Sequence, residues 1–344
     1  MKLTPQDIGF AFLAALATVL LCLGVTSGSG LSVILYFLSA VPLMVVTLGW
    51  GLPVGLVGAA IATVIILFAA NPQTAIFIVT TTIGPAVLSG FLMNLARPAE
   101  EVGGPAGKMV WYPLADVIFR MAIITGLAFI VAGALIGYGP ELINPLIGEF
   151  VVRYQEVSPE FQGFSPEALA QFQSFILFFL PFFQSMMWTM VLVANLAIAL
   201  SITRRSGRLK RPADDWAFAL RLPRMAVVVF CLALLASFVS GTIGLAANAI
   251  LGALAGGFII AGFALMHAAV RGQPWAPFAI IMAYLSTVML GLRWCFSSSL
   301  ACSRLRARCL SATTPTIQTL ETRLKGQSHE SHSARTHRQA RHHW

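Results

Sequence analysis

Two charged residues, Asp116 and Arg120, lie within a mostly apolar stretch and are the first candidates for chemistry in this chain. Because they are four positions apart, a helix would place them on the same face, where they could form an ion pair. An ion pair embedded in a membrane is a functional candidate. A pair at the membrane surface is structural, and the nearby Trp111 and Tyr112 are typical of the aromatic belt found there. We therefore expect a structural interfacial pair.

Three uncharged or weakly basic polar residues also lie in apolar stretches: Asn195, Asn248 and His267. The two asparagines either line a solute cavity or donate hydrogen bonds between helices, and the second role is the more common one. His267 is either a proton-transfer or ligand-binding group, or a residue that extends toward the membrane interface. Together with Asp116 and Arg120, these residues form the candidate substrate-binding set.

Signatures of catalysis are missing from the sequence. We find no HExxH, GxSxG or Walker A motif and no Cys/His set at metal-ligand spacing. The sequence therefore predicts that the protein is not an enzyme and that it has neither a metal site nor a cofactor.

The surrounding segments are those of a membrane protein. Hydrophobic residues make up 58% of the chain and charged residues 10%, against about 25% charged in soluble domains. Residues 8–96 and 225–266 contain no Lys, Arg, Asp, Glu or His, and each block is longer than the roughly 20 residues of one bilayer crossing. Continuous apolar runs favour helices over a barrel, whose strands would alternate apolar and polar residues. We predict an all-α, polytopic bundle of eight or nine membrane helices.

The predicted helices are separated by short breaks and by three polar segments. They lie near 7–25, 31–49, 53–70, 73–95, 111–137, 171–202, 224–241, 244–269 and 277–292. The segment at 97–108 carries Arg97 and Lys108, the segment at 203–224 holds seven Lys or Arg against two Asp, and the segment at 139–170 is acidic. Positively charged loops stay on the cytoplasmic side, so we place the N-terminus inside, in the cytoplasmic (inner) membrane of a bacterium.

Several local signals refine this topology. Pro42, Pro85 and Pro181 are expected to kink or break their helices. Gly252 and Gly256 form a small-xxx-small pair that allows close helix packing. In the acidic segment, "SPEF" (158–161) and "SPEAL" (165–169) each resemble a helix start and predict a short interfacial helix.

The last 52 residues differ from the rest in composition: residues 293–344 hold nine Lys or Arg and only two Glu. Read one base out of frame, the codons of "HESHSARTHRQARHHW" permit MKVILLERIAKLGTIG, which resembles the start of bacterial large ribosomal subunit protein nine. The same shift turns residues 293–303 into an apolar stretch. We therefore divide the chain into a membrane domain, 1–292, and a basic tail, 293–344, that is a frameshift product. The alternative is a genuine disordered basic tail.

Short motifs in the membrane domain resemble those of the YybS-like family of predicted membrane proteins, filed as domain of unknown function 2232. They are "YFLSAVPLM" (36–44), "LGWG" (48–51), "GPA" (84–86), "WYPL" (111–114) and "MHAAVRG" (266–272). The family is distantly similar to the substrate-binding membrane subunits of energy-coupling-factor vitamin transporters, and also to a rod-shape membrane protein group.

This resemblance implies two alternative functions. The first is a transporter-like or solute-binding protein, whose partners are the lipid bilayer and a small-molecule solute. The second is a scaffold for envelope or division machinery, whose partner is another membrane protein. Neither involves nucleic acid. A solute-binding protein should have a polar cavity near the membrane midplane, and a scaffold should have a packed interior.

Overall fold

The computed structural model describes residues 3–24, 30–137, 140–157 and 165–286. It divides into two compact units, Met1–Ala269 and Val270–Trp344. In the second unit the described residues include one apolar helix, Ala276–Ser286. The predicted tail at 293–344, the end of the last predicted helix and the "SPEF" helix start all lie outside the described residues.

The first unit is built almost entirely of helices. Their bounds are α1 Pro5–Leu23, α2 Gly30–Phe37, α3 Val41–Trp50, α4 Leu52–Ala69, α5 Pro72–Ile78, α6 Gly84–Met93, α7 Leu114–Ile136, α8 Pro140–Val157, α9 Pro166–Arg205, α10 Trp216–Ala219, α11 Arg224–Ser237 and α12 Thr242–Val270. A π-helical turn, Val79–Ile83, joins α5 to α6. Two short strands, β1 Ala96–Pro98 and β2 Met109–Trp111, form an antiparallel hairpin between α6 and α7.

The predicted all-α polytopic architecture is confirmed. Within the described residues, seven helical segments are long and apolar enough to cross a membrane, and Arg224–Ser237 and Ala276–Ser286 are shorter apolar helices. Two of the seven combine consecutive elements: Gly30–Trp50 contains α2 and α3, and Pro72–Met93 runs from α5 to α6. Large apolar side chains are exposed on the outside of the bundle, as they are for Leu20, Phe68 and Leu235. This surface suits contact with lipid.

Proline marks both interruptions of these combined segments. Residues 38–40 form a turn between α2 and α3, and Pro42 stands in the first turn of α3. Pro85 stands in the first turn of α6, directly after the π-helical turn. The backbone nitrogen of proline has no hydrogen to donate, and the proline ring clashes with the carbonyl four residues earlier in a helix. Pro181 lies inside α9 without ending it, since α9 continues to Arg205.

Glycine allows the helices to approach closely. A Cβ on Gly90 would lie 2.8 Å from Cβ of Thr47, so α6 packs tightly on α3. A Cβ on Gly256 would lie 2.6 Å from the carbonyl oxygen of Met186, and one on Gly252 would overlap the carbonyl of Phe182. The predicted small-xxx-small pair therefore forms the contact of α12 with α9.

The basic loop after α9 meets the hairpin between α6 and α7 at one end of the bundle. The Arg208 guanidinium lies 4.7 Å from the centre of the Trp50 ring, and the ring of Phe10 lies 4.5 Å from that of Trp50. Arg211 reaches the carbonyl oxygen of Tyr112 after the hairpin. We call this region, residues 49–51, 93–98, 109–113 and 203–214, the basic end.

The acidic segment at the opposite end is more helical than predicted. The helix α8 covers residues 140–157, where the sequence analysis placed a polar segment. Ser165 does cap a helix, because its Oγ accepts a hydrogen bond from the Ala168 amide at 3.3 Å. That helix is α9 itself, so the prediction of a separate interfacial helix beginning at "SPEAL" is wrong. The apolar run after Phe172 continues the same helix, and nothing in residues 166–172 stops it.

Candidate functional site

Two side chains of α9 contact the two interrupted membrane segments. Trp188 donates a hydrogen bond from Nε1 to the carbonyl oxygen of Thr81 at 2.7 Å, within the π-helical turn. Asn195 donates from Nδ2 to the carbonyl oxygen of Phe37, the last residue of α2, at 2.8 Å. Both residues are buried. We call Phe37, Thr81, Trp188 and Asn195 the α9 junction.

The α9 junction satisfies backbone groups that the interruptions leave free. The last turn of a helix has carbonyls without intrahelical partners, and a π-helical turn disturbs the regular hydrogen-bond pattern. In a membrane such groups need partners from the protein. The amide of Asn195 supplies one at the end of α2, and the indole of Trp188 supplies one in the π-helical turn. The junction therefore stabilises irregular backbone inside the bundle.

Aromatic rings and hydroxyl groups surround the junction. The rings of Tyr36 and Phe37 lie 5.3 Å and 6.2 Å from that of Trp188. Thr81 and Thr82 are fully buried, and their hydroxyl oxygens are 3.4 Å apart. Polar groups are thus concentrated inside a bundle whose outer surface is apolar.

Asn248 makes a second contact of the same kind. It is buried in α12 and donates from Nδ2 to the carbonyl oxygen of Phe178 in α9 at 3.0 Å. Phe178 lies in the turn of α9 before Pro181, so this contact joins α12 to α9 next to the proline. Asn195 therefore donates from α9 to α2, and Asn248 donates from α12 to α9. The two bonds lie at different levels along α9. Each forms the interhelical hydrogen bond that was one of the two predicted roles.

His267 is part of the last turn of α12 and is partly buried. Its Nδ1 lies 2.7 Å from the carbonyl oxygen of Phe263, one turn earlier. Because a carbonyl only accepts, Nδ1 carries the proton in this contact. This contact fixes the tautomer or the protonated form of the ring, and it does not join His267 to the α9 junction.

Asp116 and Arg120 lie on the first two turns of α7 but do not pair with each other. Among the described residues, no ion pair within 4.0 Å involves either of them. The Arg120 guanidinium instead lies 5.4 Å from the centre of the Tyr112 ring, in a cation–π contact. The expected pair of Asp116 with Arg120 is therefore absent, and Arg120 contacts the aromatic belt residue Tyr112 just before α7.

Asp116 contributes to an open cleft at the basic end. The cleft has a volume of about 450 Å³ and is lined by residues 95–97, 110–113 and 116. It combines the two strands of the hairpin with the start of α7. Of the five predicted candidates, Asp116 alone is among its lining residues. The candidates are therefore divided between the interior of the bundle and this cleft.

Arg211 has the most extensive polar contacts at the basic end, although it is not among the candidates predicted from the sequence. Its side chain is 3% exposed and forms a two-bonded ion pair with Asp214, at 2.7 Å and 2.8 Å. Nη1 also donates to the carbonyl oxygen of Tyr112 at 2.7 Å. Arg211 therefore attaches the loop after α9 to the segment that enters α7. The spacing of Arg211 and Asp214 in "RPADD" is the one sequence signal of this pair.

Comparison with known proteins places the membrane domain in a family. The model of the family described as "Predicted membrane protein (DUF2232)" matches residues 15–297 of this chain. The chain belongs to this family. The matched range includes the second half of α1, all of α2 to α12, the α9 junction and the cleft at the basic end. It makes the protein a member of a predicted membrane protein family with no assigned function, as the resemblance of its motifs implied. The chain matches no curated protein and no solved structure.

Proposed function

We propose that this protein is a transporter-like, solute-binding protein of the bacterial inner membrane, with its N-terminus in the cytoplasm. The observation that supports it is the α9 junction. Interrupted helices that meet inside a membrane bundle are typical of transporters, whose solute sites are built from such breaks. The proposal includes no catalytic step, in line with the missing enzyme motifs.

The positions of the two interruptions support a site inside the bundle. The turn at 38–40 is at the middle of Gly30–Trp50, and the π-helical turn is at the middle of Pro72–Met93. Non-helical backbone at this depth is tolerated where it is buried in protein or lines a cavity. Both interruptions therefore bring irregular backbone to the depth at which transporters hold their solutes.

Ligand-dependent thermal stability tests this proposal. The purified full-length protein in detergent is melted alone and with each of a set of water-soluble vitamins and their precursors. A solute that binds only the folded protein raises the free energy of unfolding by RT ln(1 + [L]/Kd), and the melting temperature rises with it. We expect at least one solute to do so at millimolar concentration.

Two threonine variants locate the bound solute. Thr82→Val removes a buried hydroxyl next to the junction, and Thr63→Val removes a hydroxyl that bonds within α4, to Ala59. We expect Thr82→Val to weaken binding about tenfold, which is about 1.4 kcal/mol, and Thr63→Val to leave it unchanged. Equal effects of the two variants, or no stabilising solute at all, would contradict the proposal.

A scaffold function is the second candidate, and α8 favours it. The rings of Phe150 and Tyr154 are exposed on α8 and lie 5.9 Å apart. Exposed aromatic side chains outside the membrane are frequent in protein contacts. A scaffold would purify with a stoichiometric membrane protein partner, and Phe150→Ser with Tyr154→Ser would release that partner. The solute-binding proposal expects the double variant to keep its thermal response to the solute.

A further inference from the structure

The cleft at the basic end has the dimensions and the side chains of a ligand site. Its volume of about 450 Å³ falls within the range of about 300–1,000 Å³ that is usual for small-molecule sites. It lies apart from the α9 junction, so the following inference does not depend on the proposed transport function.

Two opposite charges line the cleft without neutralising each other. Among the described residues, neither the Asp116 carboxylate nor the Arg97 guanidinium forms a side-chain hydrogen bond or an ion pair. Asp116 is partly buried, whereas Arg97 is exposed. A partly buried carboxylate that accepts no side-chain hydrogen bond is open to charge-assisted hydrogen bonds from a ligand cation.

One wall of the cleft is aromatic and held in place. Trp111 and Tyr112 line the cleft and are partly buried. The backbone of Tyr112 is fixed from both sides, because its amide donates to the carbonyl of Leu95 at 2.9 Å and its carbonyl accepts from Arg211. The Tyr112 ring already has the Arg120 guanidinium as its cation partner, so the ring of Trp111 is the one that favours a ligand ammonium group beside the carboxylate.

We propose that this cleft binds a zwitterion that carries a primary ammonium group and a phosphate. The ammonium group is recognised by Asp116 and the aromatic wall, and the phosphate by Arg97. Arginine suits phosphate because its guanidinium donates two parallel hydrogen bonds. Two sources supply this chemistry at a membrane surface: the headgroup of phosphatidylethanolamine, and free phosphoethanolamine.

The test measures binding to the full-length protein in detergent micelles by thermal stabilisation. Phosphoethanolamine is titrated as the free ligand, and phosphatidylethanolamine is titrated in mixed micelles against phosphatidylglycerol, which has the phosphate but no amine. Stabilisation by both amine compounds assigns the site to the shared headgroup. Stabilisation by one of them supports the site and identifies its source.

Charge-neutral variants show whether the cleft is responsible. Asp116→Asn and Arg97→Gln each remove one charge from the cleft. Glu101→Gln and Lys108→Gln remove the same charges from the neighbouring exposed loop, which does not line it. We expect each cleft variant to weaken binding at least tenfold and each control to stay within twofold. Because Arg97 is exposed, Arg97→Gln tests the proposal even if Asp116→Asn is unstable.

Three outcomes overturn the proposal. They are no stabilisation by either amine compound, equal stabilisation by phosphatidylglycerol, and equal weakening by the cleft variants and their loop controls.

Discussion

At the scale of single residues, this protein uses buried side-chain amides and an indole to bond backbone carbonyls of neighbouring helices, two of them where a membrane segment is interrupted. Asn195 satisfies the last carbonyl of α2, Trp188 satisfies a carbonyl of the π-helical turn, and Asn248 satisfies one near Pro181. Each donor comes from a neighbouring helix. These side chains therefore stabilise the packing of the helices. Their substitution should lower the stability of the protein even without a ligand.

The first prediction concerns the hydrogen bond of Asn195. In Asn195→Leu, the carbonyl of Phe37 loses its donor in a buried environment, so we expect a loss of about 1–2 kcal/mol in the free energy of unfolding. The matched control is Asn144→Leu, since Asn144 bonds to Gln173 on the exposed surface and water can replace that bond. Reversible unfolding in mixed micelles measures both. Equal losses in the two variants would show that burial of the bond is unimportant.

A second prediction concerns Arg211. Its removal in Arg211→Gln leaves Asp214 partly buried without its cation, and removing one partner of a buried pair costs about 3–5 kcal/mol. We expect the loop at 206–223 to open locally, so chymotrypsin should cut at Trp216 or Phe218 several times faster. Lys210→Gln, at an exposed neighbour, should leave the cleavage rate unchanged. An unchanged rate in both would mean that Arg211 does not hold the loop.

At the scale of elements, the sequence predicted most helices and the two proline breaks, but not the hairpin or the helix α8. Pro42 and Pro85 did signal the two breaks, because proline restricts a helix in a way that is independent of tertiary contacts. The hairpin of β1 and β2 was missed, since three-residue strands leave no alternating pattern to recognise. Arg211 was also missed, because burial distinguishes it from the other arginines of its loop and sequence carries no measure of burial.

The third prediction is for the contact of α12 with α9. In Gly256→Ala the new methyl group would meet the carbonyl oxygen of Met186, which belongs to rigid backbone, so the helices must separate. We expect a loss of about 1–3 kcal/mol. Gly262→Ala is the control on the same helix, because no atom lies within 4 Å of its added Cβ. Chemical unfolding in micelles compares the two, and a neutral Gly256→Ala would argue against this close packing.

At the scale of the whole molecule, the basic loop after α9 and the hairpin lie at one end of the membrane helices. The acidic segment lies after α7, at the opposite end. Composition and charge were sufficient to predict a polytopic bundle, since the hydrophobic blocks are too long for any other arrangement. They were insufficient for a site, because each polar residue had two possible roles that depend on its neighbours in space. The frameshift origin of residues 293–344 stays a prediction, which resequencing the 3′ end of the gene tests.

The fourth prediction is the orientation of the bundle. In a cysteine-free background, Lys108→Cys in the loop between β1 and β2 and Glu156→Cys in α8 each supply one exposed thiol. By the positive-inside rule, we expect a membrane-impermeant maleimide to label Glu156→Cys in intact spheroplasts. It should label Lys108→Cys only after the membrane is opened. The reverse pattern would place the N-terminus outside.

The length of α9 has a consequence for the surrounding lipid. Its 40 residues span about 60 Å, twice the hydrocarbon thickness of about 30 Å. Arg204 and Arg205 keep one end at the membrane surface, and the continuous apolar run begins at Phe175, about 44 Å away along the helix. Even a tilt of about 40° leaves this stretch longer than the hydrocarbon. The bilayer around α9 should therefore thicken, so the protein should be most stable in lipids with long acyl chains.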